Sequence, residues 1–202
     1  MSKTIQYYFA TVSPYAYLGH SRFARIARNH GASIELRPID LGAVFPVSGG
    51  LPLAKRAPQR QAYRLVELRR WSDYLGMPMN MQPRFFPVSS DAATRLIIAT
   101  SQSAGVDLAM ALTGRIMRAV WADQLDISAR DTLHALARAE GLAADALLAA
   151  SDAPEVQATY ERFTREAIER GVFGSPTYVY QNELFWGQDR LDFLDRALGK
   201  GA

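Results

Sequence analysis

The 202-residue sequence predicts an α/β fold that is interrupted by a helical insertion. The first observation is an apolar run at residues 4–9, rich in β-branched and aromatic residues, followed by an amphipathic stretch and an alternating run at 33–37. The second is a middle region, about 59–150, with apolar residues at helical spacing and no strand pattern. The third is the return of strand chemistry near residue 177. The predicted order is therefore β-α-β, several helices, then β-β-α.

The first unit is predicted to be a strand, a helix and a parallel strand. Residues 4–9 form a buried strand that ends before Ser13-Pro14, and residues 33–37 alternate between polar and apolar side chains until Pro38 ends them. The intervening helix is indicated by the apolar residues Leu18, Phe23, Ile26 and Ala27. This is the pattern of a βαβ unit.

From residue 40 to about 58 the chain reads as a loop, because it contains Gly49-Gly50 and several prolines. Helices are then predicted over 59–75, 92–103, 107–121, 128–140 and 143–150, and from Pro154 onward. Ser128 and Asp131 resemble a capping box for the fourth of these. No flexible linker flanks residues 59–150, which we interpret as an insertion in a domain formed by 1–58 and 151–202.

The last unit is predicted to be a hairpin and a helix. Residues 177–180 and 183–186 flank Gln181-Asn182, a two-residue turn. The closing helix is predicted over 189–198, with Gly199 after its end. This order of elements is the thioredoxin topology with a large helical insertion.

Composition excludes several function classes. Hydrophobic residues make up 49% of the chain and charged residues 21%, which is typical of a globular protein. The net charge of +3 is spread without long runs, so small anionic ligands are expected and nucleic acid is not. No apolar stretch is long enough to span a membrane, and no signal peptide precedes the first strand. The absence of cysteine fits a reducing compartment, and we expect a cytoplasmic protein.

Two segments carry the candidate chemistry. Ser13 stands where a thioredoxin-type helix normally begins with cysteine, so disulfide exchange by the protein's own sulfur is excluded. Taken alone, Ser13-Pro14 is an ordinary N-cap followed by Pro at the first helical position. The second segment is Ser175-Pro176 before the hairpin, where thioredoxin folds have a cis-proline that faces the first helix. A cis bond there would leave the Ser175 backbone free to pair with a peptide-like ligand.

Together these segments resemble the 2-hydroxychromene-2-carboxylate isomerase family, which shares the DsbA-like fold with the kappa-class glutathione transferases. The resemblance extends over nearly the whole chain. It rests on Ser13-Pro14-Tyr15-Ala16-Tyr17-Leu18, Val172-Phe173-Gly174-Ser175-Pro176-Thr177, Phe185-Trp186-Gly187-Gln188-Asp189-Arg190-Leu191 and, within the insertion, Ala119-Val120-Trp121. It implies a glutathione-dependent cis–trans isomerase that acts on a small aromatic carboxylate, and it also implies a homodimer.

The resemblance assigns roles to particular residues. Ser13 would face the sulfur of glutathione, while Ser175, held before Pro176, would pair through its backbone with the cysteinyl part. Gln188 and Asp189 would hold the γ-glutamyl end. The alternative for Asp189 is a plain N-cap of the last helix, and the two interpretations are compatible.

The loop at Lys55 and Arg56 would reach the glycyl carboxylate in this resemblance, and its alternative is a solvated pair of charges. The chain departs from some family members at Ala54, where they have Asn, and at Ala10, where they have Asp.

Two other functions stay open. One is a kappa-like transferase that conjugates glutathione to an electrophile, and the other is a non-catalytic thioredoxin-fold binding protein. Three histidines, at positions 20, 30 and 134, are scattered without ligand spacing, so no metal site is expected. Tyr63 and Trp71 are expected to pack in the core, or alternatively to line the site of a planar substrate.

Overall fold

A four-stranded mixed sheet lies at the centre of the fold. The structure is a computed structural model and describes residues 3–200. The strands are β1 (Thr4–Phe9), β2 (Ser33–Pro38), β3 (Thr177–Tyr180) and β4 (Glu183–Trp186), in the order β2-β1-β3-β4. Strand β2 is parallel to β1, whereas β3 is antiparallel to both β1 and β4. This confirms the predicted βαβ unit and the closing hairpin.

Helix α1 (Pro14–Asn29) connects the two parallel strands and covers one face of the sheet. Its apolar face is buried through the predicted residues, of which Leu18 and Phe23 are fully covered. The Phe23 ring lies 4.7 Å from that of Tyr7 and 4.6 Å from that of Tyr178, centroid to centroid. Aromatic packing between helix and sheet therefore fixes where α1 begins relative to the end of β1.

The prediction of a loop over residues 40–58 is wrong. Helix α2 (Leu41–Ser48) and a 3₁₀ turn (Leu53–Lys55) occupy most of it. The side chain of Asp40 caps α2 by accepting from the Gly42 amide at 2.7 Å, and Gly49 ends it at φ 75°. Only Val44 of this helix is buried, so the apolar periodicity that marks longer helices is missing.

The predicted helices of the middle region are confirmed, with bounds that shift by at most two residues. They are α3 (Pro58–Leu75), α4 (Asp91–Ala104), α5 (Val106–Trp121), α6 (Arg130–Ala139), α7 (Ala144–Ser151) and α8 (Pro154–Glu169). The capping box is wrong, because α6 begins at Arg130 and the Ser128 hydroxyl instead donates to Asp126 at 2.6 Å. The division into a thioredoxin-like domain and an insertion over 59–150 stays a prediction.

The hairpin turn has the expected left-handed residues, Gln181 at φ 50° and Asn182 at φ 65°. The closing segment differs from its prediction. It begins with a 3₁₀ turn (Gln188–Arg190) and continues as α9 (Leu191–Lys200), so Gly199 lies inside the helix and does not end it. Within residues 3–200, no helix combines the length and apolarity needed to cross a membrane.

Candidate active site

The start of α1 is the first component of the site. Ser13 is the N-cap residue in an extended conformation, and its Oγ accepts from the Ala16 amide at 3.2 Å. Pro14 follows at the first helical position, which needs no amide donor. The first turn contains no acidic residue. Because the positive end of the helix dipole also lies here, this end of α1 favours an anion. Ser13 is thus a cap, and its hydroxyl lies at an anion-favouring position.

The Ser175-Pro176 segment lies directly against this helix start. The bond between the two residues is cis, as the sequence predicts. The Ser13 hydroxyl donates to the Ser175 carbonyl at 3.1 Å, across 162 residues of sequence. In return, the Ser175 Oγ accepts from the Ala10 amide at 2.8 Å. The Ser175 amide has no acceptor among residues 3–200, so one backbone donor of this pair is free.

Two hydrogen bonds hold the backbone on either side of Ser175. The Thr177 hydroxyl donates to the Gly174 carbonyl at 2.8 Å, and the Gly187 amide donates to the Pro176 carbonyl at 2.9 Å. The Trp186 indole lies so close to Gly174 that a Cβ there would be 2.3 Å from Nε1. Glycine is therefore required where the segment passes under this ring.

Gln188 lies buried against α1. The residue is 1% exposed, and its Oε1 accepts from the Arg22 guanidinium at 3.1 Å. Gln188 also packs closely on α1, because a Cβ at Gly19 would be 2.7 Å from its own Cβ. These contacts fix the 3₁₀ turn against α1. That Gln188 helps Asp189 to hold the γ-glutamyl end stays a prediction.

Asp189, the next residue, faces solvent and is not a helix cap. Its carboxylate lies 3.1 Å from the Arg190 guanidinium, and its side chain is 41% exposed. Because α9 begins only at Leu191, the alternative of a plain N-cap is wrong. Gly187, at φ 102°, passes so near that a Cβ there would be 2.4 Å from Asp189 Oδ1. The Trp-Gly-x-Asp segment therefore presents a carboxylate at the surface.

Lys55 and Arg56 lie at the end of the 3₁₀ turn before α3 and differ in their contacts. The Arg56 Nε donates to the Leu51 carbonyl at 2.8 Å, which braces the loop. Lys55 is exposed, and its ammonium has no hydrogen bond or ion pair with any residue from 3 to 200. The alternative of a solvated pair thus describes Lys55, while Arg56 has a structural role in addition.

Tyr15, two residues after Ser13, shows which charges surround the helix start. Burial raises the pKa of its phenol, the nearby charges of Arg64 and Arg56 oppose that rise, and the carboxylates of Glu67 and Asp189 add to it. Arg56 and Asp189, which the sequence predicts to be site residues, therefore share one neighbourhood with the start of α1. Arg64 is also there, although the sequence analysis does not single it out.

The histidines lie apart. His20 is buried between the Tyr7 hydroxyl and the Met110 carbonyl, and burial lowers its pKa to about 4. His30 and His134 each contact one surface aspartate. Residues 3–200 contain no group of three His, Cys, Asp or Glu side chains that could hold a metal ion.

Comparison with known proteins places the chain in a family. A family model described as a DSBA-like thioredoxin domain matches residues 4–199. A 2-hydroxychromene-2-carboxylate isomerase of Sphingobium xenophagum is 32% identical over 199 residues, which cover 98% of this chain and 99% of the relative. The chain belongs to the 2-hydroxychromene-2-carboxylate isomerase family, within the DsbA-like thioredoxin fold.

Two further matches agree with this membership. Glutathione S-transferase kappa 1 of Homo sapiens is 26% identical over 211 residues and covers 99% of this chain and 92% of its own length. A solved structure of 2-hydroxychromene-2-carboxylate isomerase superposes with a TM-score of 0.82 at 28% identity, covering 98% of this chain and 95% of that one. The predicted thioredoxin-like fold and the family resemblance are confirmed, and the chain is a member of an isomerase family.

The structure of this isomerase-family chain also reveals residues near the site that the sequence analysis missed. Arg64 of α3 lies over the rings of Phe86 and Trp121 at 5.7 Å from each centroid. Of the two aromatic residues expected to pack in the core, Tyr63 is 58% exposed and does not, whereas Trp71 is partly buried and packs against the core, as predicted. Helical spacing shows that positions 63 and 64 lie on different sides of α3, but not which side faces the site.

Proposed function

We propose that the protein is a glutathione-dependent cis–trans isomerase. It would convert 2-hydroxychromene-2-carboxylate, or a similar intermediate of aromatic degradation, into trans-o-hydroxybenzylidenepyruvate. The observation that carries the proposal is the Ser13 hydroxyl, which faces the Ser175 backbone at the start of α1 in a chain without cysteine. The isomerases among its relatives support the reaction, and the kappa-class relative supports the cofactor.

The residues at the start of α1 fit a thiolate. A thiol with an ordinary cysteine pKa of about 8.5 is only about 3% ionised at pH 7. Lowering that pKa by about two units requires roughly 2.7 kcal/mol of preferential stabilisation of the anion. A hydrogen bond from a hydroxyl to a charged group contributes about 1.5–3 kcal/mol. The Ser13 hydroxyl and the first turn of α1 are therefore sufficient in magnitude.

The contact between Ser13 and Ser175 suggests how the hydroxyl becomes available. In this structure the Ser13 proton is bonded to the Ser175 carbonyl, while the Ser175 amide has no acceptor among residues 3–200. An extended peptide group placed alongside Ser175 would donate to the carbonyl and accept from the amide. The Ser13 hydroxyl could then turn to the sulfur without leaving the carbonyl unpaired.

When bound, glutathione would supply a thiolate that adds reversibly to the double bond of the ring-opened substrate and leaves once the geometry is trans. Ser13 would hold its hydroxyl proton on the sulfur before addition and after elimination. Asp189 would accept from the α-ammonium of the γ-glutamyl end, and Lys55 would attract the glycyl carboxylate with its exposed ammonium. Arg56 would brace the loop beside Lys55, and Gln188 would hold Asp189 in place through Arg22.

The second candidate is a kappa-like transferase, which the human relative favours. The two activities differ in stoichiometry, since an isomerase needs glutathione only in catalytic amounts. Product formation far beyond the glutathione supplied supports the isomerase, whereas loss of one thiol per turnover supports the transferase. A non-catalytic binding protein would show neither.

The deciding experiment is a mixing measurement of thiolate absorbance in the ultraviolet. Wild type with millimolar glutathione should show the thiolate signal at neutral pH, and Ser13→Ala should not. Absence of glutathione binding by calorimetry would refute the cofactor. A homodimer and a cytoplasmic location remain proposals from the family, and sedimentation and cell fractionation test them.

A further inference from the structure

Arg64 is a cation near the site whose guanidinium has no anionic partner in the part of the chain that the structure describes. It lies on α3 and is partly buried. Its guanidinium carbon is 5.7 Å from the ring centroids of both Phe86 and Trp121, whose rings lie 4.9 Å from each other. Trp121 is fully buried. Attraction to the two aromatic faces therefore holds the guanidinium at the edge of the core.

These aromatic contacts leave the N–H donors of Arg64 unused. Within residues 3–200, the Arg64 guanidinium makes no hydrogen bond and no ion pair. The acid one turn further along α3, Glu67, instead accepts from Arg70 at 2.8 Å. Burial, together with the nearby charge of Arg56, lowers the pKa of Arg64. The guanidinium is therefore held in place by the two rings, and its N–H groups are available to an anionic ligand.

The residues around Arg64 indicate which class of anion it would bind. The Tyr17 hydroxyl, on the first turn of α1, donates to the Pro78 carbonyl at 2.8 Å, and the Asn80 amide donates to the Trp121 carbonyl at 2.6 Å. The loop after α3 therefore joins this end of α1 to the ring that lies under Arg64. The charge of Arg64 also acts on the Tyr15 phenol, two residues from Ser13, so an anion on Arg64 would lie near the start of α1. The indole N–H of Trp121 is buried and has no acceptor among residues 3–200. A guanidinium binds a carboxylate through two parallel hydrogen bonds, and the partly buried ring of Phe86 beside it suits an aromatic rather than a glycyl group.

We propose that Arg64 binds the carboxylate of an aromatic acid substrate and determines the selectivity of the site for such acids. This inference rests on the proposed function, because it says which residue would hold the substrate in the same site. It makes Arg64 a binding residue that separates aromatic acids from neutral aromatic molecules of the same shape.

The test compares two ligands of nearly equal shape. The probes are trans-cinnamate and the neutral trans-cinnamamide, titrated with and without saturating glutathione and followed by tryptophan fluorescence. Wild type should bind cinnamate about tenfold or more tightly than the amide. Arg64→Met should abolish this preference and leave the affinity for glutathione, measured by calorimetry, within about twofold of wild type. Arg60→Met, one turn earlier on α3 and exposed, is the matched control and should behave as wild type.

Each other outcome has a defined reading. A preference for cinnamate that persists in Arg64→Met, or that is lost equally in Arg60→Met, overturns the proposal. Loss of glutathione affinity in Arg64→Met, with the cinnamate preference intact, assigns Arg64 to the tripeptide and also overturns it. If wild type binds no glutathione, the proposed function fails, while the titration without glutathione still decides the role of Arg64. If Arg64→Met does not fold, Arg64→Lys replaces it and should show a weakened preference, because lysine lacks the bidentate geometry.

Discussion

The two ends of the site differ in how far the protein satisfies its own polar groups. At the serine end, formed by Ser13 and Ser175, both hydroxyls are bonded within the protein, one to a carbonyl and the other to an amide. At the cationic end, formed by Arg64, the guanidinium lies over two rings and has no hydrogen-bond acceptor among residues 3–200. The serine end is already formed without a ligand, and the cationic end is completed by one.

This difference indicates different contributions to catalysis. The Ala16 amide holds the Ser13 oxygen in place, so only its proton has to turn to the sulfur, and its stabilisation of the anion lowers the barrier of the chemical step. An unpaired charge that waits for a ligand contributes mainly to binding and selectivity. Changes at the serine end should therefore appear in kcat, and changes among the charged groups should appear in affinity.

The largest expected effect is that of Ser13→Ala on turnover. Loss of a hydrogen bond to the thiolate should lower kcat by about tenfold to a hundredfold at saturating glutathione. The lost cap should lower the free energy of unfolding by only about 1 kcal/mol, measured by chemical denaturation. Ser13→Thr keeps a capping hydroxyl and is the control, expected to retain most of the activity. If Ser13→Ala turns over at the wild-type rate, Ser13 is a cap alone and the contrast between the ends disappears.

Asp189→Asn should have the next largest effect, and it should appear in binding. Removal of the charge that would accept from the α-ammonium should weaken glutathione binding by about fivefold to tenfold in calorimetry. The kcat at saturating glutathione should change little, because the group lies away from the sulfur. The simultaneous loss of the exposed pair with Arg190 should have little influence on stability.

The control for this variant is Asp192→Asn, which removes a carboxylate of the same segment that is 78% exposed and pairs with Arg22. It should bind glutathione as wild type does. Equal weakening by both variants would mean that general electrostatic attraction, and not a contact at Asp189, accounts for the loss.

The sequence was sufficient for much of the fold because the chain is locally consistent. Helices such as α5 have an apolar face with helical periodicity, and the turn residues Gln181-Asn182 adopt the left-handed conformations that such a turn needs. Helix α2 escaped prediction because it buries only Val44 and contains a proline. The helix that Ser128 was expected to cap begins at Arg130, because the Ser128 hydroxyl bonds to a nearby aspartate instead.

The candidate site was predictable only where a motif marks it. Motifs locate Ser13, Ser175 and Asp189 near one helix start, but they do not reveal that Gln188 is buried and bonded to Arg22. Arg64 belongs to no motif. Its importance depends on two rings that approach it from a loop and from another helix, and a contact between distant segments leaves no periodic signal in a sequence.

Gln188→Leu should have a smaller effect on glutathione binding than Asp189→Asn, because Gln188 would act by keeping Asp189 in place. Without the amide oxygen, the Arg22 guanidinium loses one of its acceptors, and the free energy of unfolding should fall by about 1–2 kcal/mol. Glutathione affinity should fall about threefold as Asp189 becomes less well fixed. Gln188→Glu restores an acceptor for Arg22 and should recover both quantities. Failure of this rescue, or a loss larger than that of Asp189→Asn, would return Gln188 to the group of direct ligands.

The smallest expected effect is that of Lys55→Ala. This variant tests whether an exposed charge and a partly buried charge respond differently to salt. Lys55 is exposed, so removing it should weaken glutathione binding by about threefold at low ionic strength and hardly at all in high salt. Arg64 is partly buried over two rings, so its preference for cinnamate should persist in the same salt. A salt titration of both interactions therefore tests the contrast directly. If salt removes the cinnamate preference as easily as the contribution of Lys55, Arg64 acts through long-range attraction and does not contact the carboxylate.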